Sequence, residues 1–229
     1  DKDGGIDVMG SSPGRLTFYR NTGGGNFTYT VVDTLSQVSG VDWVDIDGDG
    51  NDDLTVAYRN PAKVLWYTNA GNAVFGSPRC TGAEYKSTGA IAVADLDMDG
   101  DRDLVAANTL GGSLDDHIKQ LVWYENQGGQ FTRQHVLSFD SIDFSRVEVA
   151  DLDGDLDPDI LAGSSDPTRL CWFENDGTGH FVMHTLLSGS GGTINNPEIE
   201  ISDIDADGDP DVSIMFYASS AKVSWFENI

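Results

Sequence analysis

Apolar residues along this 229-residue chain come in short bursts that alternate with acidic and glycine-rich stretches. IAVAD (91–95) and VEVAD (147–151) have the length and composition of buried strands, and each runs straight into an aspartate-rich loop. After the loops come DLTVA (53–57), DLVAA (103–107), DILAG (159–163) and DVSIMF (211–216), again short and apolar. A third kind of run, KVLWYTN (63–69) or QLVWYEN (120–126), is bulky on both faces, which predicts a strand buried on both sides. Its asparagine and the glycines that follow are expected to supply the positive φ of a hairpin turn. A fourth, FTRQHVL (131–137), is more polar and belongs near the outside. No stretch carries helical periodicity, and no apolar run exceeds five residues, so none could cross a bilayer as a helix.

These runs recur as a set. DIDGDGNDD (45–53), DLDMDGDRD (95–103), DLDGDLDPD (151–159) and DIDADGDPD (203–211) superimpose without gaps, and DKDGGID (1–7) is the same motif without its first two positions. Each is followed by an aromatic motif: FYRN (18–21), WYTN (66–69), WYEN (123–126), WFEN (172–175) and WFEN (225–228). After four of these comes a glycine-containing turn and then Phe27, Phe75, Phe131 or Phe181. Four antiparallel strands per unit of about 50 residues, each blade apolar on two faces, predict an all-β fold of stacked blades, a β-propeller. The units run about 1–39, 40–88, 89–144, 145–196 and 197–229, three complete and two partial. The first lacks the strand before its loop and the last lacks its outer strand.

The loops carry the chemistry. Alternate carboxylates at positions 1, 3 and 5, an aspartate at position 9 and a glycine at position 6 converge on one point. Oxygen-only donors at that density suit a hard cation of high coordination number, Ca²⁺ before zinc or copper. In the second loop Asp45, Asp47, Asp49 and Asp53 are the candidate ligands, with the carbonyl of Asn51 as a further one. The third loop offers Asp95, Asp97, Asp99, Asp101 and Asp103, and the fourth Asp151, Asp153, Asp155, Asp157 and Asp159. The fifth offers Asp203, Asp205, Asp207, Asp209 and Asp211, and the truncated first Asp1, Asp3 and Asp7. About one Ca²⁺ per repeat, four or five in all, is expected. An EF-hand loop would place a bidentate glutamate at position 12; here that position is Val56, Ala106, Ala162 or Ile214, so an apolar strand follows and the cation would clip a β-hairpin. Leu156 replaces the position-6 glycine of the fourth loop, at a cost of ~1–2 kcal/mol if positive φ is required there.

Composition agrees. The chain has 38 acidic and 13 basic residues, a net charge of −25. Nothing here could neutralise nucleic-acid phosphates, and anionic membranes are disfavoured on the same ground. Of the acidic residues, 23 lie in the five loops, where self-repulsion calls for counter-charge. Cys80 and Cys171 fall at unrelated repeat positions and read as two free thiols. His180 and His184 flank a strand phenylalanine and read as surface residues. Asn26-Phe27-Thr28 is a glycosylation sequon, meaningful only in a secretory pathway.

The D-x-D-x-D-G-x-x-D loops and the W-[YF]-E-N…G…F element resemble the FG-GAP/VCBS repeat family, whose relatives include the β-propeller of integrin α-subunits and certain fungal lectins. The resemblance covers essentially the whole chain. It implies calcium-binding hairpins and a role in adhesion, in glycan or protein binding, or beside an enzyme.

The chain is therefore expected to be a secreted or cell-surface module that binds a protein or glycan or builds an assembly through its incomplete end units. No nucleophile elbow, Walker loop or zinc-ligand spacing marks it as an enzyme. The rivals are an accessory domain of a larger lyase- or dehydratase-type enzyme and a structural filament subunit. The loops and hairpin turns should share one face. Length variation gathers on the other: Asp103 to Trp123 spans 20 residues, so 108–119 reads as an insertion, and 80–87 and 188–196 are long connections. A ligand surface is expected there.

Overall fold

A computed structural model describes residues 3–35, 37–59, 62–81, 87–111, 117–140, 142–165, 168–189, 195–217 and 221–227. Among them all regular structure is antiparallel β, with no helix. The first sheet is β1 (Val8–Ser12), β2 (Arg15–Gly23) and β3 (Asn26–Asp33). The second is β4 (Val38–Val44), β5 (Asp53–Arg59), β6 (Ala62–Tyr67) and β7 (Arg79–Cys80). The third is β8 (Ser87–Ala94), β9 (Asp103–Gly111), β10 (His117–Asn126) and β11 (Phe131–Asp140). The fourth is β12 (Phe144–Ala150), β13 (Asp159–Ser165), β14 (Thr168–Asn175) and β15 (Phe181–Gly189). The fifth is β16 (Asn195–Ser202), β17 (Asp211–Tyr217) and β18 (Ala221–Phe226). Strands pair in chain order within every sheet, so three sheets hold four strands and the two end sheets hold three.

There is no single core. Each of four apolar clusters lies between two consecutive sheets. Leu16 packs with Leu54, Tyr58 and Tyr67; Val64 with Leu104, Val122 and Tyr124; Leu121 and Trp123 with Ile160 and Phe173; Leu170 with Ile199 and Val212. A sheet with two apolar faces cannot bury both alone, so stacking on neighbours follows from the pattern. The aromatic of one unit reaches the turn of the next: Phe18 meets Phe75 edge-on at 5.7 Å and Trp123 meets Phe181 at 6.0 Å. Polar links follow the same direction. Asp33 of β3 accepts hydrogen bonds from Tyr58 and Tyr67 of the second sheet. Burial would raise the Asp33 carboxyl, but these hydroxyls and the amides of Leu35 and Thr34 outweigh it and hold it below its ordinary value.

Three details depart from the sequence reading. The third-strand asparagines are not the positive-φ residues; the turn glycines are, joined by Asn72 and Ala73 in the second unit. The fourth strand of that unit does not start at Phe75, which makes only an isolated bridge to Asn69, because Pro78 lacks an N–H and pairing resumes only at Arg79–Cys80. Much of the 108–119 insertion is not loop but strand, since β9 and β10 extend to place His117 opposite Gly111. Residues 112–116 of that insertion, 82–86 and 190–194 of the two long connections, and Asp1 lie outside the described residues. The cysteines are free, Cys80 exposed and Cys171 buried. His180 is exposed beside the turn, whereas His184 is half-buried, bonded to Glu174 at 2.6 Å and set over the Trp172 ring at 4.8 Å.

A Cβ on Gly179 would collide with the indole of Trp123, and its φ is +75°. Gly179→Ala is therefore expected to cost about 2–4 kcal/mol, from left-handed strain plus overpacking, read as a lower urea midpoint at unchanged m-value.

Candidate metal centres

The acidic loops at 45–53, 95–103, 151–159 and 203–211 each join the first strand of a sheet to the second, and their shape is set by their own carboxylates. At position 1, Asp45 accepts from the amides of Asp49 (3.1 Å) and Gly50 (2.8 Å). Asp95 and Asp203 repeat this pattern, and Asp151 bonds the amides of Gly154 and Leu156. At position 5, Asp49, Asp99, Asp155 and Asp207 each accept from the amide two residues on. These Asx turns coil the loop so that its alternate side chains point inward.

The coil needs two left-handed residues, not one. Position 6 has positive φ in every loop, at Gly4, Gly50, Gly100, Leu156 and Gly208. So does position 4, at Gly48, Met98, Gly154 and Ala206. The sequence reading identified the first requirement and missed the second. The third, fourth and fifth loops each carry one strained residue, and only the second has glycine at both places.

Position 9 closes the loop. Asp53, Asp103, Asp159 and Asp211 are fully buried. One oxygen of each accepts from the position-2 amide: Ile46 at 3.2 Å, Leu96 at 3.1 Å, Leu152 at 3.0 Å and Ile204 at 2.9 Å. The other oxygen of the first three accepts from the amide of the third-strand asparagine, Asn69 (2.7 Å), Asn126 (2.8 Å) or Asn175 (2.8 Å), as Asp7 does from Asn21. These asparagines were missed as junction residues, although their recurrence at the end of every aromatic motif was the available signal. Asn126 Nδ2 donates to the carbonyl of Arg102 in its own loop and of Ile46 in the preceding one. Asn175 does the same with Pro158 and Leu96.

Carboxylate oxygens converge within 4.8 Å of one another in four groups: Asp45, Asp47 and Asp53; Asp95, Asp97 and Asp99; Asp151, Asp153 and Asp155; Asp203, Asp205 and Asp211. Asp101, Asp157 and Asp209 at position 7 stand outside these groups. Asp101 instead accepts from the Gly128 amide at 2.7 Å, latching its loop to the neighbouring turn. In the first loop Asp3 bonds the Gly5 amide and Arg20, and Asp7 serves Asn21; no third carboxylate joins them among the described residues.

Oδ1 of Asp47 and of Asp97 is buried with no hydrogen-bond partner. A buried, unpartnered carboxylate oxygen facing other carboxylates is costly unless a cation shares the space. Burial first, and then the charge of Asp99, pushes the Asp97 carboxyl up; Asp205 is raised the same way, with Asp207 as the charge. All donors are hard oxygens. The residues therefore fit a divalent cation of the calcium or magnesium class, held by positions 1, 3 and 5 or 9.

The sequence matches the FG-GAP-like repeat family over residues 1–56, 45–106 and 151–214. No curated protein matches it. Among solved structures it is similar to a chain of a mutant Tc holotoxin pore of Photorhabdus luminescens, at a TM-score of 0.51 and 17% identity. That alignment covers 98% of this chain and 11% of the other.

Two predictions follow from the loop geometry. Leu156→Gly is expected to stabilise the protein by about 0.5–1 kcal/mol, the relief of left-handed strain less the backbone entropy of glycine, measured by urea unfolding. Burial lifts the carboxyls of Asp53, Asp103 and Asp159 to about 6, 7 and 6, only partly offset by their amide bonds. With pKa values raised on folding, the metal-free native state binds more protons than the unfolded chain between about pH 4 and 7. In chelator, stability should thus fall as pH rises through that window, and a bound cation that keeps these groups ionised should flatten or reverse the slope; urea midpoints against pH, with and without calcium, check both.

Proposed function

This chain belongs to the FG-GAP-like repeat family, and on that premise we propose that it is a calcium-binding β-propeller module of a secreted or cell-surface protein, with a binding rather than a catalytic role. The observation that carries the reading is the recurrence, in four successive units, of three converging carboxylates, with a buried unpartnered oxygen in two of them. The propeller arrangement is supported by sheets that stack face to face in chain order and by apolar contacts running from each unit to the next. Calcium rigidifies the loop face so that the connections on the opposite face are held in register to meet a protein or glycan. The extended β9–β10 hairpin is the favoured contact on that face. Sites of this type suit extracellular calcium, with Kd of ~10⁻⁴–10⁻³ M. Nucleic acid and membrane insertion form no part of the reading.

A second reading has a specific observation in its favour. The similar toxin chain is far longer, with 11% of it covered, which fits a module that works inside a larger protein, such as a secreted enzyme, or inside an assembly. The end sheets favour assembly: Trp225 and Val223, equivalent to the buried Trp66 and Val64, are 48% and 67% exposed, and Phe27 is 48% exposed.

Calcium at 100 times Kd should add roughly 2.7 kcal/mol per site. The melting temperature is accordingly expected to rise by several degrees with calcium and to fall back in excess EDTA. An identical melting temperature in both would refute the metal reading.

A further inference from the structure

The acidic loops of successive units are joined by two kinds of link. The first is an asparagine. Asn126 is fully buried. Its Nδ2 donates to the carbonyl of Arg102 in the third loop at 2.9 Å and to that of Ile46 in the second at 3.0 Å. Its Oδ1 accepts from the Gly129 amide at 2.9 Å, so both polar atoms of this side chain are engaged. Asn175 bridges the fourth loop, at Pro158, and the third, at Leu96, by the same pair of bonds.

The second link is the turn at 127–130. Gly128 donates its amide to Asp101 of the third loop at 2.7 Å. Gly129 lies against the second loop: a Cβ there would stand 3.2 Å from the Cβ of Asp47. Asp47 is one of the three converging carboxylates of that loop, and its Oδ1 is buried and unpartnered. One turn thus touches a latch in its own unit and a candidate ligand in the preceding one.

Both Nδ2 bonds of Asn126 form only while Ile46 and Arg102 keep their places, and those places are set by the coils of two different loops. If either coil loosens, a buried polar group is left without its partner, a costly state. Fixing one coil, as a bound cation does, therefore favours the coiled form of the next.

We propose that the loops bind cations cooperatively between neighbouring units, with Asn126, Asn175 and the 127–130 turn as the coupling elements. The proposal rests on the calcium reading above and concerns how its sites regulate one another. Repulsion between filled loops opposes the effect, but it is screened over about 8 Å at physiological salt, whereas the hydrogen-bonded links are specific to each pair.

The test is a calcium titration of the full chain followed by ¹H–¹⁵N NMR, in which the amides of Gly50, Gly100, Gly154 and Gly208 report the second to fifth loops one by one. The variant Asp97→Asn/Asp99→Asn disables the third loop by altering two of its three converging carboxylates. It removes two negative charges, as a bound Ca²⁺ would offset two, so the long-range field at the other loops matches that of the filled wild type. The calcium midpoints at Gly50 and Gly154 should rise about fivefold or more, while that at Gly208, two units away, changes by less than about twofold. In an Asp101→Ala background, which cuts the turn from the third loop, the effect at Gly50 should shrink and that at Gly154 should persist. An undiminished effect at Gly50 would overturn the turn's part in the coupling. Unchanged midpoints at Gly50 and Gly154, or equal rises at all three loops, would overturn the coupling as a whole while leaving the sites intact. Absence of calcium-dependent shifts at every loop would instead overturn the metal reading, and the coupling with it.

Discussion

The buried carboxylate at the end of each acidic loop is the interaction on which the rest depends. Asp53, Asp103 and Asp159 each bind two backbone amides, one from the start of their own loop and one from the third strand. One side chain thus ties three successive segments together at a point where no water reaches it. Burying an ionised group is costly without such partners, which is why these carboxyls are pushed up even with two amide bonds each. Asn126 and Asn175, beside Asp103 and Asp159, carry the tie across to the preceding unit, so these acidic loops also couple neighbouring sheets.

That coupling makes the molecule a one-dimensional stack. Every apolar cluster joins a sheet to the next in the chain, and the aromatic–turn contacts run in the same direction. Trp225 and Phe27 are the two halves of the contact that Trp123 and Phe181 complete inside, and both remain about half exposed.

The loops combine two opposing demands. They bring like charges within a few ångströms, and they coil through left-handed residues that only glycine adopts freely. Met98, Leu156 and Ala206 take up that conformation without being glycine. The surrounding hydrogen bonds, mostly donated by the loop's own amides to its own aspartates, hold them there. Local strain and unbalanced charge are tolerated together in the third, fourth and fifth loops, as is usual where a site is built for a partner.

The all-β class, the five antiparallel sheets and the convergence of the loop aspartates were legible in the sequence, because each depends on local spacing that repeats. Register, strand order and hairpin length follow from alternation and turns, which are short-range. What only the tertiary structure decided were the relations between units. Asn126 and Asn175 appear in sequence as turn residues, yet they bond carbonyls some 80 residues earlier. Asp101 appears as one more inward carboxylate, yet it holds a turn amide. Spacing along one unit cannot report such contacts, since they depend on how far and at what angle one sheet sits upon the next, and packing settles that.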